Sequence, residues 1–283
     1  MSQIRIPEKI FGIIGHPLAQ TMSPLLHNWG FELMGVRACY MAFPTPPEKL
    51  AAFVQAVRTL PVSGLSVTIP HKEAVIPLLD CVSPLAERTG AVNTLVWEDG
   101  QLVGHNTDVA GFVSPLLERE AWHGAMPASA LVLGAGGAAK AVLAGLHEIG
   151  VEQVTVCNRD FERAAALAAQ FSDNAVVWER RHNVEAHLVV NTTPMGMAGK
   201  APDVSPMPKE YWTRDQLAYD LVYNPRRTLF LREAQEAGAD TIDGLSMFAA
   251  QGAAQFKLWT GLSLPMAEAM ELLAGALAGD QTK

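Results

Sequence analysis

The stretch Ala130-Leu131-Val132-Leu133-Gly134-Ala135-Gly136-Gly137-Ala138-Ala139-Lys140 decides the fold. Residues 130–133 are an apolar run of strand length that stops at a cluster of glycines. A helical pattern begins at once and lasts to Ile149, where Gly150 supplies a C-terminal stop. Strand, tight turn and helix form the first half of a dinucleotide-binding βαβ unit. Gly134 permits the turn, Gly136 lets the backbone approach a pyrophosphate, and small Ala139 allows the helix to pack closely on the strand. Backbone N–H groups at the helix start, together with the helix dipole, favour anionic phosphates.

Downstream of this unit, residues 154–157, 188–191, 217–222 and 241–242 read as strands. Residues 162–171 and 228–237 read as helices, the second closed by Gly238, and helical stretches at 246–260 and 265–277 finish the chain. Upstream, 10–15 is a short apolar strand, and Ser23 ahead of Pro24 has the usual place of a helix N-cap. Leu50, Phe53, Val54 and Val57 recur at helical spacing within 47–59. Residues 65–69 alternate at period two, end at Pro70 and hand over to a helix beginning near Lys72. The segments 94–97 and 101–104 flank Glu98-Asp99-Gly100 as a hairpin, Asp108 opens another helix, and 121–129 reads as a joint. Strands alternating with helices predict an α/β protein with largely parallel sheets.

Bulk properties narrow the function classes. The chain has 283 residues, 49% apolar and 18% charged, enough for one large or two moderate packed domains rather than a disordered chain. With 21 basic against 29 acidic residues the net charge is −8, which excludes a broad nucleic-acid footprint. Cys39, Cys81 and Cys157 are far apart and lack CxxC spacing, so buried reduced thiols are expected rather than a disulfide framework or a zinc site. The first nine residues lack the apolar core of a signal peptide, and no apolar run reaches spanning length. A cytoplasmic protein with no membrane, nucleic-acid or metal partner is expected.

The second strand of the nucleotide unit ends in Asn158-Arg159, where this fold meets the adenosine ribose. An acid there would favour NAD; an arginine offers a charge-assisted fork to a 2′-phosphate, and Arg163 adds a second cation. That points to NADP. Asp160 keeps NAD open, because its carboxylate either repels the phosphate or caps the following helix. Lys72 follows the end of a strand, where α/β sheets gather binding groups, and it can pass a proton to a developing alkoxide, with Asp108 as candidate partner. On spacing alone both residues have ordinary structural uses, a helix start and an N-cap. His16, His71 and His105 read as supporting loop residues, and Met195 and Met197 as a pocket or core wall.

Taken together these pieces resemble the shikimate/quinate dehydrogenase family over nearly the whole chain. The matching stretches are Gly15-His16-Pro17-Leu18, Ser23-Pro24 to His27-Asn28, Ser66-Val67-Thr68-Ile69-Pro70-His71-Lys72, Gly90-Ala91-Val92-Asn93-Thr94 and Gly104-His105-Asn106-Thr107-Asp108. They continue with Gly134-Ala135-Gly136-Gly137-Ala138, Asn158-Arg159, Asn191-Thr192-Thr193-Pro194-Met195-Gly196, Asp220-Leu221-Val222-Tyr223, Asp243-Gly244-Leu245-Ser246-Met247 and Gln251-Gly252. The resemblance implies a substrate domain, residues 1–105 with 240–283, and a Rossmann-type nucleotide domain, residues 106–239, the C-terminal helices returning to the first. It further implies hydride reduction of the ring ketone of 3-dehydroshikimate, with Lys72 as acid/base and Asp108 paired with it and with ring hydroxyls. Substrate contacts then fall on Thr21, Ser23, Ser66, Thr68, Asn93, Tyr223 and Gln251. Cofactor contacts fall on Gly134, Ala135, Gly136, Gly137, Ala138, Asn158, Arg159, Asp160, Arg163, Thr192, Thr193, Pro194, Leu221 and Gly244. A monomer or homodimer is implied.

Three positions depart from the family. Gln20-Thr21 replaces a His-Ser pair, keeping the hydroxyl but adding a methyl. Ser66 replaces an asparagine, leaving a shorter polar group that can admit a quinate-like substrate. Asp160 replaces a threonine in the cofactor loop. The main alternative is therefore a quinate/shikimate dehydrogenase using NAD or NADP. A non-catalytic sensing module on the same fold would be expected to lose Lys72 or Asp108, and both are present.

Overall fold

The computed structural model describes residues 6–19, 21–119 and 126–280. Gln20, the first five residues and most of the expected joint at 121–129 lie outside the described residues. Contacts divide the chain into two units, residues 1–107 with 251–273 and residues 108–250 with 274–283.

The first unit is built on six strands, β1 (Lys9–Gly15), β2 (Ala38–Pro44), β3 (Val62–Val67), β4 (Cys81–Val82), β5 (Thr94–Glu98) and β6 (Gln101–His105), in the order β2-β1-β3-β5-β6-β4. The sheet is mixed: β1 is parallel to β2 and β3, β5 runs antiparallel to β3 and β6, and β4 is parallel to β6. Its helices are α1 (Ser23–Leu33), α2 (Leu50–Val57) and α3 (Pro84–Thr89). Burying the apolar stripe of α2, Leu50, Val54 and Val57, against Ile14, Leu65, Val67 and Leu95 makes one core. The β5–β6 turn has positive φ at Asp99 (48°) and Gly100 (80°), as a two-residue hairpin of right-handed strands requires.

Three expectations change here. Ser23 is the first helical residue of α1 and not its cap; the cap position is Met22. The segment after Lys72 forms turns and a short 3₁₀ helix at Ile76–Leu78 instead of an α-helix. Pro77 has no N–H to give and its ring would press on the carbonyl four residues back, which disfavours a longer helix through it. Of the three cysteines only Cys157 is buried, while Cys39 is half-buried and Cys81 exposed, and all three are free thiols.

The second unit opens with α4 (Asp108–Leu117) and continues with β7 (Ser129–Leu133), α5 (Gly137–Glu148), β8 (Gln153–Asn158), α6 (Phe161–Phe171), β9 (Asn174–Val177), β10 (Leu188–Asn191), β11 (Leu217–Asp220), α7 (Leu229–Glu236) and β12 (Asp240–Ile242), with 3₁₀ turns in place of helices between β9, β10 and β11. Helices α8 (Gly244–Thr260) and α9 (Met266–Asp280) follow. All five strand pairs are parallel, in the order β12-β11-β10-β7-β8-β9. Counted from β7 this is the doubly wound order 3-2-1-4-5-6, with the reversal of direction between β7 and β10. Both faces of the sheet are buried, which is why β7 reads as an unbroken apolar run. Ala130 and Val132 face a core with Phe112, Val142 and Leu167, while Leu131 and Leu133 face another with Phe230 and Leu231. Because β12 pairs with β11, residues just past 239 stay in the nucleotide unit, and the chain leaves it only after Ala250.

Candidate functional site

At the switch point of the second sheet, the turn after β7 and the segment after β10 face each other across a cavity of about 410 Å³. Gly134 has a φ of 115°, and a side chain there would collide with Thr192 Oγ1, so glycine is needed twice over. Thr192 ties the two strand ends together by donating from both N and Oγ1 to Leu133 O, each at 2.9 Å. Next to it, Asn191 Oδ1 accepts from Thr193 N at 2.9 Å and from Thr193 Oγ1 at 2.7 Å. A Cβ at Gly136, by contrast, would meet nothing within 4 Å, leaving open space over the backbone N–H groups that start α5. That is the cradle a pyrophosphate requires.

Asn158, Arg159 and Arg163 also line the cavity, and among the described lining residues there is no carboxylate. Asp160, whose role the sequence leaves open, caps α6: its Oδ1 accepts from Arg163 N at 3.3 Å. Two cations and no facing acid suit a 2′-phosphate. Of the expected cofactor residues, Gly134, Ala135, Gly136, Asn158, Arg159, Arg163, Thr192, Thr193 and Pro194 line this cavity. Gly137 begins α5 and Ala138 follows it within the helix, while Leu221 and Gly244 meet each other elsewhere, a Cβ on Gly244 falling 2.6 Å from the Leu221 carbonyl oxygen. Met195 lines the wall as expected, and Trp178, Lys200, Ala201 and Val204 are additions. Trp178 follows the end of β9 as Arg159 follows that of β8, so the strand-end rule finds it once β9 is recognised. Arg181 stacks on its ring at 4.2 Å and donates to its carbonyl at 2.6 Å.

Most of the expected substrate residues belong to the first unit, while Asp108 and Tyr223 belong to the second. Ser23 is buried, and Thr21 Oγ1 donates to Ser23 Oγ at 3.3 Å. Thr68 and Lys72 follow β3 on a turn held by His71, which is 1% exposed and whose Nε2 meets Thr45 O at 2.6 Å. A carbonyl only accepts, so Nε2 carries the proton. The Lys72 carbonyl accepts from Val92 N at 2.8 Å, which fixes this turn beside the segment that leads to Asn93. Buried Asn93 is oriented by Thr107, whose N–H donates to Asn93 Oδ1 at 2.8 Å while Asn93 Nδ2 donates to Thr107 Oγ1 at 2.9 Å. Thr107 immediately precedes Asp108, the buried first residue of α4. Ser66 is buried and bonded to Tyr40 and Gln255, two residues the sequence reading did not single out. Gln251 lies one turn earlier on α8, and Tyr223 packs its half-buried ring 5.0 Å from Phe248 in the second unit, burial raising its phenol pKa.

Comparison with known proteins places these features in one family. Residues 13–95 match the shikimate dehydrogenase substrate-binding domain, 119–192 match shikimate/quinate 5-dehydrogenase, and 244–271 match the shikimate 5′-dehydrogenase C-terminal domain. Shikimate dehydrogenase (NADP(+)) of Oleidesulfovibrio alaskensis is 57% identical over 97% of this chain and 98% of its own. The chain belongs to the shikimate dehydrogenase family.

Solved members of similar shape include the Thermus thermophilus shikimate 5-dehydrogenase in complex with NADP(H) and shikimate, 42% identical with a TM-score of 0.85 over 95% of this chain and 99% of that one. Quinate dehydrogenase from Corynebacterium glutamicum in complex with NAD is 33% identical, with a TM-score of 0.87 over 94% and 99% of the two chains. Among the described residues no helix is long and apolar enough to cross a membrane.

Proposed function

We propose that this chain is an NADP-dependent shikimate dehydrogenase that reversibly reduces the ring ketone of 3-dehydroshikimate, with Lys72 and Asp108 as its acid–base pair. The observation that carries the cofactor reading is the cavity in which the glycine turn, Arg159 and Arg163 converge while Asp160 is engaged as a helix cap. The nicotinamide, when bound, supplies the hydride. Gly136 and the start of α5 would hold the pyrophosphate, and Arg159 and Arg163 would hold the 2′-phosphate.

Lys72 gives its ammonium proton to the ketone oxygen as that oxygen becomes an alkoxide, so the carbonyl carbon ends with one new C–H bond and the oxygen with one O–H. Asp108, the carboxylate the family pairs with Lys72, accepts a hydrogen bond from a ring hydroxyl. Thr21 and Ser23 donate to the substrate carboxylate, and Asn93 and Gln251 hydrogen-bond ring hydroxyls, with Thr68, Ser66 and Tyr223 completing the set. Family membership supports these assignments, as do the burial of Asn93, Asp108 and Ser23 and the pinning of the Lys72 turn.

Lys72→Ala should lower kcat by about two to four orders of magnitude while KM changes little, because the proton is needed only as the transition state forms. A loss confined to KM would reject the acid–base role.

A further inference from the structure

Gln255 is 2% exposed and stands one helical turn beyond Gln251 on α8. Its carboxamide makes three hydrogen bonds to the first sheet. Nε2 donates to Asn93 O and to Thr94 Oγ1, both at 3.0 Å, and Oε1 accepts from Ser66 Oγ at 2.8 Å. The amide cannot be turned over. Asn93 O is a carbonyl, able only to accept, so the group facing it must be the NH₂. Oε1 therefore faces Ser66, and the single proton of Ser66 goes to Gln255.

The remaining bonds follow from that one constraint. With its proton committed, Ser66 Oγ can only accept from Tyr40 OH, 2.6 Å away. Thr94 Oγ1, accepting from Gln255, donates onward to Asn93 Oδ1 at 2.7 Å. Ser66 has one lone pair left. Toward a ligand it is an acceptor and not a donor.

We propose that Gln255 is a positioning residue that, by holding the Ser66 proton, makes the site select a ring acid presenting a hydroxyl hydrogen at Ser66 over one presenting a ketone or ether oxygen there. The inference rests on Ser66 being a substrate contact, as read above. Nearby titratable groups do not confuse its test. Burial pushes the Tyr40 phenol well above its usual range and the His27 imidazole down to about 3, so neither changes charge near neutral pH.

The test is a double-mutant cycle on shikimate KM and kcat with Ser66→Ala, Gln255→Leu and both together, near-UV circular dichroism checking the fold. Gln255→Leu should raise KM about tenfold, the worth of one hydrogen bond, with kcat within about threefold. In the Ser66→Ala background the same change should move KM by less than about twofold. Gln255→Glu provides a readout that packing alone would not give. A glutamic acid side chain still accepts the Ser66 proton as Oε1 does, so KM in this variant should stay within about threefold of the parent at the same pH. It also carries the test if Gln255→Leu does not fold. Full additivity in the cycle, or a KM for Gln255→Glu about tenfold above the parent, overturns the role of Gln255 alone. An unchanged KM in Ser66→Ala overturns the substrate contact itself, and this inference with it.

Discussion

Lowering the pH should destabilise the protein through His27. The ring sits on α1 with no exposed surface, stacked 4.5 Å from Tyr40 and flanked by Phe256 at 6.4 Å and Trp259 at 5.1 Å. Neither ring nitrogen has a partner in good hydrogen-bond geometry, and burial lowers its pKa from 6.5 to about 3, opposed in part by the nearby Gln255 carboxamide. The unfolded chain therefore binds a proton below 6.5 that the folded chain refuses until about 3. Stability from this group is fully present above the unfolded pKa and is lost as pH falls, at a limiting slope of about 1.4 kcal/mol per pH unit. Between pH 7.5 and 5 the loss comes to about 2 kcal/mol. Guanidinium unfolding followed by tryptophan fluorescence, comparing the parent with His27→Phe at both pH values, isolates it. Asp220, whose buried carboxyl is pushed up to about 7, gives a slope of opposite sign, but it is common to both proteins and subtracts out. The stability difference, parent minus variant, should fall by about 2 kcal/mol at the lower pH. A difference independent of pH would refute the reasoning, because it would mean that the imidazole accepts its proton while folded.

Two further outcomes test the nucleotide cavity. Arg159→Ala should weaken NADPH binding about 10- to 100-fold, the loss of a charge-assisted hydrogen bond, while leaving NADH nearly unaffected. Equal losses, measured by fluorescence titration, would refute recognition of the 2′-phosphate. Asp160→Ala should cost about 1 kcal/mol of stability, as a lost helix cap does, without changing the ratio of NADPH to NADH affinity. A marked gain in NADPH affinity would instead make its carboxylate a cofactor contact.

The nucleotide unit was legible because its central strands are buried on both faces: the run 130–133 has no polar interruption to disguise it, and the glycines that follow have few other uses. Edge strands were harder. β2 exposes Met41 and half-buries Cys39, and β9 exposes Asn174 and Val177, so neither shows a clean period of two. Tyr40 and Trp178 were missed for that reason, since each takes its meaning from the strand that carries it or that it follows. Gln255 was hidden differently. Within α8 it reads as one more polar residue, and only its reach to Ser66 and the β5 backbone distinguishes it. Asp160 could be read two ways from sequence, and one hydrogen bond to Arg163 N decides for the cap. Lys72 and Asp108 carried only a weak signal of their own, the strand end that precedes Lys72; the family resemblance is what assigned their roles.

The most direct test of the account is the initial rate of oxidation by the purified protein, crossing shikimate and quinate with NADP and NAD. Turnover is expected chiefly with shikimate and NADP. Comparable or faster turnover with NAD would contradict the reading of Arg159 and Asp160, and four blank rates from a folded protein would contradict the catalytic reading as a whole.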